Sequence, residues 1–200
     1  FYDFISFNDH RLGIVIGDVS DKGLPAALFM ALTFSLLRAE CEKSSDPCQV
    51  LQLVNRYLLK MNAMNMFVTL IYCLLDYNTG VLTYARAGHV LPIVLDGKGR
   101  KVTIPMDVGQ PLGLFEDVRF DRQQVQIPPG GLALFYTDGL SEAGDESGRE
   151  FGSMRILKVL QEQRNETGKL ICKHLWDAVQ EYCGGSVHKD DFATLVIKRL

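Results

Sequence analysis

No two cysteines in this 200-residue sequence are spaced as C-x-x-C. The five that occur, Cys41, Cys48, Cys73, Cys172 and Cys183, are odd in number and widely scattered. This excludes a disulfide framework and a cysteine-based zinc site, and leads us to expect reduced thiols of a cytoplasmic protein. Cys73 sits inside the apolar run 68–75 and reads as a small core residue. Positive charge is not in excess either. With 21 Lys and Arg against 24 Asp and Glu, the formal charge is −3, so counterion release offers nothing and no nucleic-acid partner is expected. The same acidity repels phosphorylated molecules, so any phosphate chemistry needs bound cations or a local basic cluster. Long apolar runs are missing as well: nothing approaches the roughly 18 to 20 uninterrupted residues that span a bilayer. Residues 1–3 (FYD) do not open a signal peptide. The expectation is a soluble domain, on the cytoplasmic side if its parent is anchored in a membrane. Internal repeats and low-complexity stretches are absent from the sequence.

What is there is apolar content of 47%, enough for one sizeable core, so residues 1–200 are expected to form a single domain. Because the sequence starts in mid-pattern, that domain is expected to be incomplete at its N-terminus. Residues 11–17 (RLGIVIG) predict a buried strand entering the turn DVSDKG. Residues 26–40 are strong helix formers, apolar almost all round, and predict a helix packed between layers, with Pro25 in its first turn. Asp46 and Pro47 read as the N-cap and first residue of a second helix running to about Met64. Residues 67–75 and 81–87, joined by DYNTG, predict a hairpin. Short runs at 93–95, 101–104, 118–127 and 132–136 continue an antiparallel sheet system. Helices at 154–163 and 169–182 and a strand at 192–199 follow. Helices, strands, helices and a final strand, without β-α-β alternation, give an α+β class.

Three carboxylate clusters lie at the ends of apolar strand-like runs: Asp18 after GIVIG, Asp138 after LALFYT, and Asp190 with Asp191 before FATLVI. Taken singly, each reads as a solvated turn aspartate. Taken together, they read as strand ends converging on a hard cation, since an all-oxygen donor set suits magnesium or manganese over zinc. Spacing alone goes no further. Lys22 precedes its glycine, so DVSDKG is not a phosphate loop of the G-x-x-x-x-G-K-[ST] type, and Lys22 reads as a surface residue. His89, beside a turn glycine, reads as a structural hydrogen-bonding residue. Ser141 and Glu142 lack a base arrangement for nucleophilic catalysis, and Glu142 reads as supporting the site or starting a helix. Met61, Met64 and Met66 read as packing residues.

The segments FYDFISFNDHRLGIVIGDVSDKGLPAALFMA, ARAGHVLPIV, GQPLGLF, FYTDGLSEAGDESGREFG and KDDFATLVIKR, in this order and over nearly the whole chain, resemble successive motifs of one family. It is the bacterial sporulation-stage-II-protein-E type branch of the metal-dependent protein phosphatase (PPM) superfamily. The resemblance implies an α-β-β-α sandwich of two antiparallel sheets flanked by helices, with two Mn2+ or Mg2+ ions at one edge. It also implies direct in-line attack of an activated water on phosphoserine or phosphothreonine, without a phosphoenzyme. Asp18 then resembles the carboxylate bridging both ions, and the Val19 carbonyl a ligand of the second. Asp138 and Asp190 resemble the ligands of the first, and Asp191 takes the place of a neighbour that is often Asn or Asp.

Two positions depart from the family pattern. The family reads G-G-D-F/Y-Y-D where this sequence opens at FYD, so one metal-binding aspartate and the strand before it are expected to be missing ahead of Phe1. Ser20 stands where eukaryotic relatives carry a histidine that is a candidate general acid. The resemblance implies a signalling output domain acting on a phosphorylated regulatory protein of the anti-sigma-factor-antagonist type, with sensor or receiver modules upstream in the parent chain. The sequence itself does not give the oligomeric state, a homodimer being one option. The alternative is a catalytically silent phosphatase fold that binds a partner.

Overall fold

The computed structural model describes residues 1–7, 10–62, 65–105, 109–184 and 190–200. In chain order its elements are β1 (Tyr2–Ser6), β2 (Arg11–Val19), α1 (Leu24–Cys41), α2 (Pro47–Met61), β3 (Val68–Asp76), β4 (Val81–Ala87) and β5 (Ile93–Leu95). Then follow β6 (Gln123–Gln126), β7 (Leu132–Tyr136), α3 (Asp138–Ser141), α4 (Gly152–Gln163), α5 (Gly168–Tyr182) and β8 (Thr194–Lys198). The described residues thus hold two antiparallel sheets and five helices, the α+β class predicted. They fall into two units, Phe1–His89 with Pro105–Gln126, and Val90–Ile104 with Ile127–Leu200.

In the first unit the sheet runs β1-β2-β3-β4-β6. Alternation along β2 and β3 sends Val15, Val19, Leu70, Tyr72 and Leu74 to one face, where they pack with Phe29 and Leu37 of α1 and Val50, Val54 and Leu58 of α2. The opposite face carries Ile14, Ile16 and, paired with Cys73 and Ile71 across the ladder, leads to Asp18 opposite Thr69. The cap of α2 is as predicted: the Asp46 carboxylate accepts from the Cys48 N–H at 2.9 Å, and Pro47 occupies the first turn. The helix ends at Met61; Met64 lies outside the described residues.

In the second unit β7 is central, in the order β5-β7-β8. Ile156 and Leu160 of α4 and Ile171, Leu175 and Val179 of α5 are buried in one cluster with Ile93, Leu134 and Tyr136 of the sheet.

Several expectations need correction. α1 is not enclosed between layers: Ala26, Phe29, Thr33 and Leu37 are buried, but Leu24 and Leu28 are 72% and 63% exposed. It is also long and apolar enough, by length and composition, to cross a membrane, with mean hydropathy 1.4, although 33% of it is buried in this unit. β1 was not anticipated, and the strand expected at 101–104 is reduced to a single bridge between Leu95 and Lys101. The strand expected at 118–127 shrinks to β6. The short helix α3, opening on Asp138, was also not foreseen.

Candidate metal centre

In the first unit Asp18 is half-buried near the C-terminal end of β2, inside the ladder, directly opposite Thr69. Gly17 beside it is obligatory, because a Cβ there would lie 2.7 Å from both the Leu70 Cβ and the Thr69 carbonyl oxygen. On the other side of β2 the Phe1 ammonium donates to the Gly17 carbonyl at 2.8 Å and the Gly17 N–H returns to the Phe1 carbonyl at 3.0 Å. Val19 pairs with Val68. Ser20 is committed to backbone: its hydroxyl accepts from the Phe67 N–H at 2.8 Å while its own N–H donates to the Phe67 carbonyl at 2.9 Å. Lys22 is exposed, as expected, and Asp21 before it adopts φ 68°. His89 is buried, shares a hydrogen bond between its Nδ1 and Thr69 Oγ1 at 3.1 Å, and accepts on its carbonyl from Arg86 at 3.0 Å.

In the second unit the two remaining carboxylate segments are brought together. Asp138 is the first residue of α3, and the Thr137 before it is buried at 1% exposure. Its hydroxyl donates to the Asp191 carbonyl at 2.9 Å and accepts from the Ala193 N–H at 3.0 Å. Its N–H donates to the Ala193 carbonyl at 3.1 Å. Gly139 completes the contact, since a Cβ there would stand 2.3 Å from the Asp191 carbonyl oxygen. The Asp138 carboxylate accepts from the Gly139 N–H, and that of Asp190 from the Asp191 N–H, each at 3.0 Å. Asp190 and Asp191 are exposed and Asp138 half-buried. Glu142, the residue capping α3, has its carboxyl pushed above the usual range, first by burial and then by the charges of Asp138, Glu150 and Asp190.

The donor types suit a hard cation: the candidate atoms are all oxygens, and the charges of Asp138 and Asp190 are felt at Glu142. Among the described residues, however, no three His, Cys, Asp or Glu side chains gather closely enough to hold a metal by themselves. Asp138 and Asp190 with Asp191 share one unit, and Asp18 and Val19 belong to the other. Thr137 and Thr69 escaped the sequence reading. Each is an uncharged residue whose importance comes from a contact far along the chain, and only the adjacency of Thr137 to Asp138 could have signalled it. Met66 is core, Met61 is exposed, and none of the five cysteines is in a disulfide.

Three comparisons bear on this arrangement. The chain is 29% identical over 230 residues to Protein IcfG of Synechocystis sp., covering all of this chain and 35% of that protein. It is 26% identical over 199 residues to phosphoserine phosphatase RsbU of Bacillus subtilis, covering 100% and 58%. The chain therefore spans between about a third and three-fifths of the length of these relatives. The solved PP2C phosphatase domain of the cell fate determinant SpoIIE from Bacillus subtilis, with a fragment of its regulatory domain, superposes with a TM-score of 0.84 at 17% identity, over 98% of this chain and 57% of that one. The fold is thus that of a PP2C domain. A sequence profile named Stage II sporulation protein E (SpoIIE) matches residues 8–200, and the chain belongs to that family.

Proposed function

We propose that this chain is the catalytic domain of a metal-dependent protein serine/threonine phosphatase, hydrolysing phosphoserine or phosphothreonine on a regulatory protein. The observation that carries the reading is the Thr137 clamp, which fastens the two carboxylate segments of the family's YTDG and KDDF motifs to each other. The retained Asp18, Asp138 and Asp190 argue against a silent binding module.

In this reading residues 1–200 act as one domain. Asp18 and the Val19 carbonyl of one unit, and Asp138, Asp190 and Asp191 of the other, would hold divalent cations, Mn2+ or Mg2+. Bound there, the ions would supply Lewis acidity toward the phosphoryl oxygens and activate a water. The side chains supply positioning: Thr137 keeps the Asp138 and Asp190 segments in register, and the β2 ladder holds Asp18. Ser20, engaged with Phe67, does not serve as the acid. The substrate is a phosphorylated anti-sigma-factor-antagonist type of protein. The parent chain carries sensor or receiver modules upstream, works on the cytoplasmic side, and acts as a homodimer.

The test is hydrolysis of para-nitrophenyl phosphate by the chain carrying Gly-Gly-Asp ahead of Phe1. Turnover is expected to need Mn2+, to vanish in EDTA, and to fall sharply when the added aspartate is replaced by asparagine. Equal turnover with and without chelator would sink the proposal.

A further inference from the structure

The first unit holds a buried polar pair that the proposed ligand set leaves unused. Thr69 lies directly across the ladder from Asp18. Residues so paired send their side chains to the same face of a sheet, with Cβ atoms about 4.5 to 5.5 Å apart. Behind Thr69 its hydroxyl meets the Nδ1 of His89 at 3.1 Å. His89 is 3% exposed, too deep to bind a substrate.

The backbone around the imidazole is held from three sides. Leu70 bridges to Gly88. The Arg86 guanidinium donates to the His89 carbonyl at 3.0 Å. Gly88, at φ 71°, holds a backbone conformation that other residues rarely adopt, and a Cβ there would press on the Pro111 ring at 3.0 Å. Three motifs that the sequence resemblance singled out, AGH, GQPLG and the strand end bearing Asp18, therefore meet around one threonine.

We propose that Thr69 and His89 are a positioning pair for the Asp18 carboxylate. The Nδ1–H of His89 donates to Thr69 Oγ1, which leaves the hydroxyl proton to the Asp18 carboxylate opposite once that side chain turns toward it. A chain of this kind polarises each bond in turn and favours one rotamer of the carboxylate. His89 thereby acts through Thr69, which explains a histidine beside a metal-binding strand end that is itself buried and unsuited to catalysis. The inference rests on the phosphatase reading and names residues that set its metal affinity.

The experiment measures Mn2+ binding by calorimetry, together with thermal stability in EDTA, on the chain carrying Gly-Gly-Asp ahead of Phe1. Thr69→Val keeps the shape and the strand preference but removes the hydroxyl. It is expected to weaken Mn2+ binding by about 10- to 100-fold, the usual effect of losing a group that orients a ligand. Thr69→Ser, which restores the hydroxyl, is expected to recover most of the affinity. His89→Phe is expected to weaken binding in the Thr69 background and to add little in the Thr69→Val background. With para-nitrophenyl phosphate, the Thr69→Val defect is expected in the Mn2+ concentration needed for half-maximal rate more than in the rate at saturating Mn2+. Equal Mn2+ affinity for wild type and Thr69→Val, or a loss that Thr69→Ser does not reverse, overturns the positioning role while leaving the phosphatase reading intact. An unsubstituted chain that binds no Mn2+ overturns both.

Discussion

Asp18 lies near the end of a buried strand and Asp138 just past the end of another, and they are held by different means. Asp18 is still inside its ladder, one of nine consecutive pairs between β2 and β3. Asp138 has left its ladder, and Asp190 and Asp191 precede theirs. Just beyond the β7–β8 ladder these two segments are joined by the Thr137 N–H and, through two further bonds, by its hydroxyl. A ladder spreads positioning over many modest bonds, whereas a clamp concentrates it in one group, so a single substitution should disturb the second region more than the first.

The largest effect expected tests whether the two regions serve one reaction. Asp18→Asn and Asp138→Asn, each in the chain carrying Gly-Gly-Asp, are both expected to lower Mn2+-dependent hydrolysis by about 10²- to 10³-fold or more, the scale of losing one group that stabilises the transition state. The double variant is expected to lose little beyond the worse single one, because groups acting as a unit are not additive. Independent, multiplying losses would separate the two regions and break the shared centre.

A smaller effect tests clamp against ladder directly. Thr137→Val keeps the volume but strips the Asp191 carbonyl and the Ala193 N–H of their partner. The expected cost is about 1–3 kcal/mol, as for a buried polar group left unmatched. Ser20→Ala removes one acceptor from the Phe67 N–H while the reciprocal backbone bond at 2.9 Å remains. Its expected cost is about 0.5–1.5 kcal/mol. Urea unfolding midpoints decide between them, and a Ser20→Ala loss equal to or above that of Thr137→Val would reverse the ranking.

The same contrast explains what the sequence made legible. Strands β4, β5 and β7 and the Asp46–Pro47 start of α2 follow from local pattern and cap chemistry. The three aspartate positions were visible because a carboxylate after an apolar strand is a local signal. β1 was hidden because its polarity runs backwards. Tyr2 and Phe4 point outward, 57% and 42% exposed, while Asp3 turns inward to Arg38, which donates to both its oxygens at 2.7 and 2.8 Å. The exposed side of α1 was hidden for the converse reason: apolar residues all round give no phase from which to read a buried face. Thr137 could not be found by spacing, since its hydroxyl partners lie more than fifty residues away.

The smallest expected effect concerns Glu142. Its carboxyl is held above the usual range by burial, then by Asp138, Glu150 and Asp190. A carboxyl whose folded pKa is raised takes up its proton more readily folded than unfolded, so ionising it costs stability. That cost is absent below the ordinary glutamate value, about 4.3. It grows as pH rises through the interval up to the raised value and is complete above it. Glu142→Gln should therefore raise the melting temperature of the metal-free protein at pH 7 and leave it unchanged near pH 4. Because Glu142 is exposed and screened, the gain should be small, about 1 °C. Saturating Mn2+ should shrink it further, by neutralising Asp138 and Asp190. A gain that persists at pH 4 would mean that repulsion among these carboxylates is not its source, and would remove the electrostatic argument for a cation at this end of the second unit.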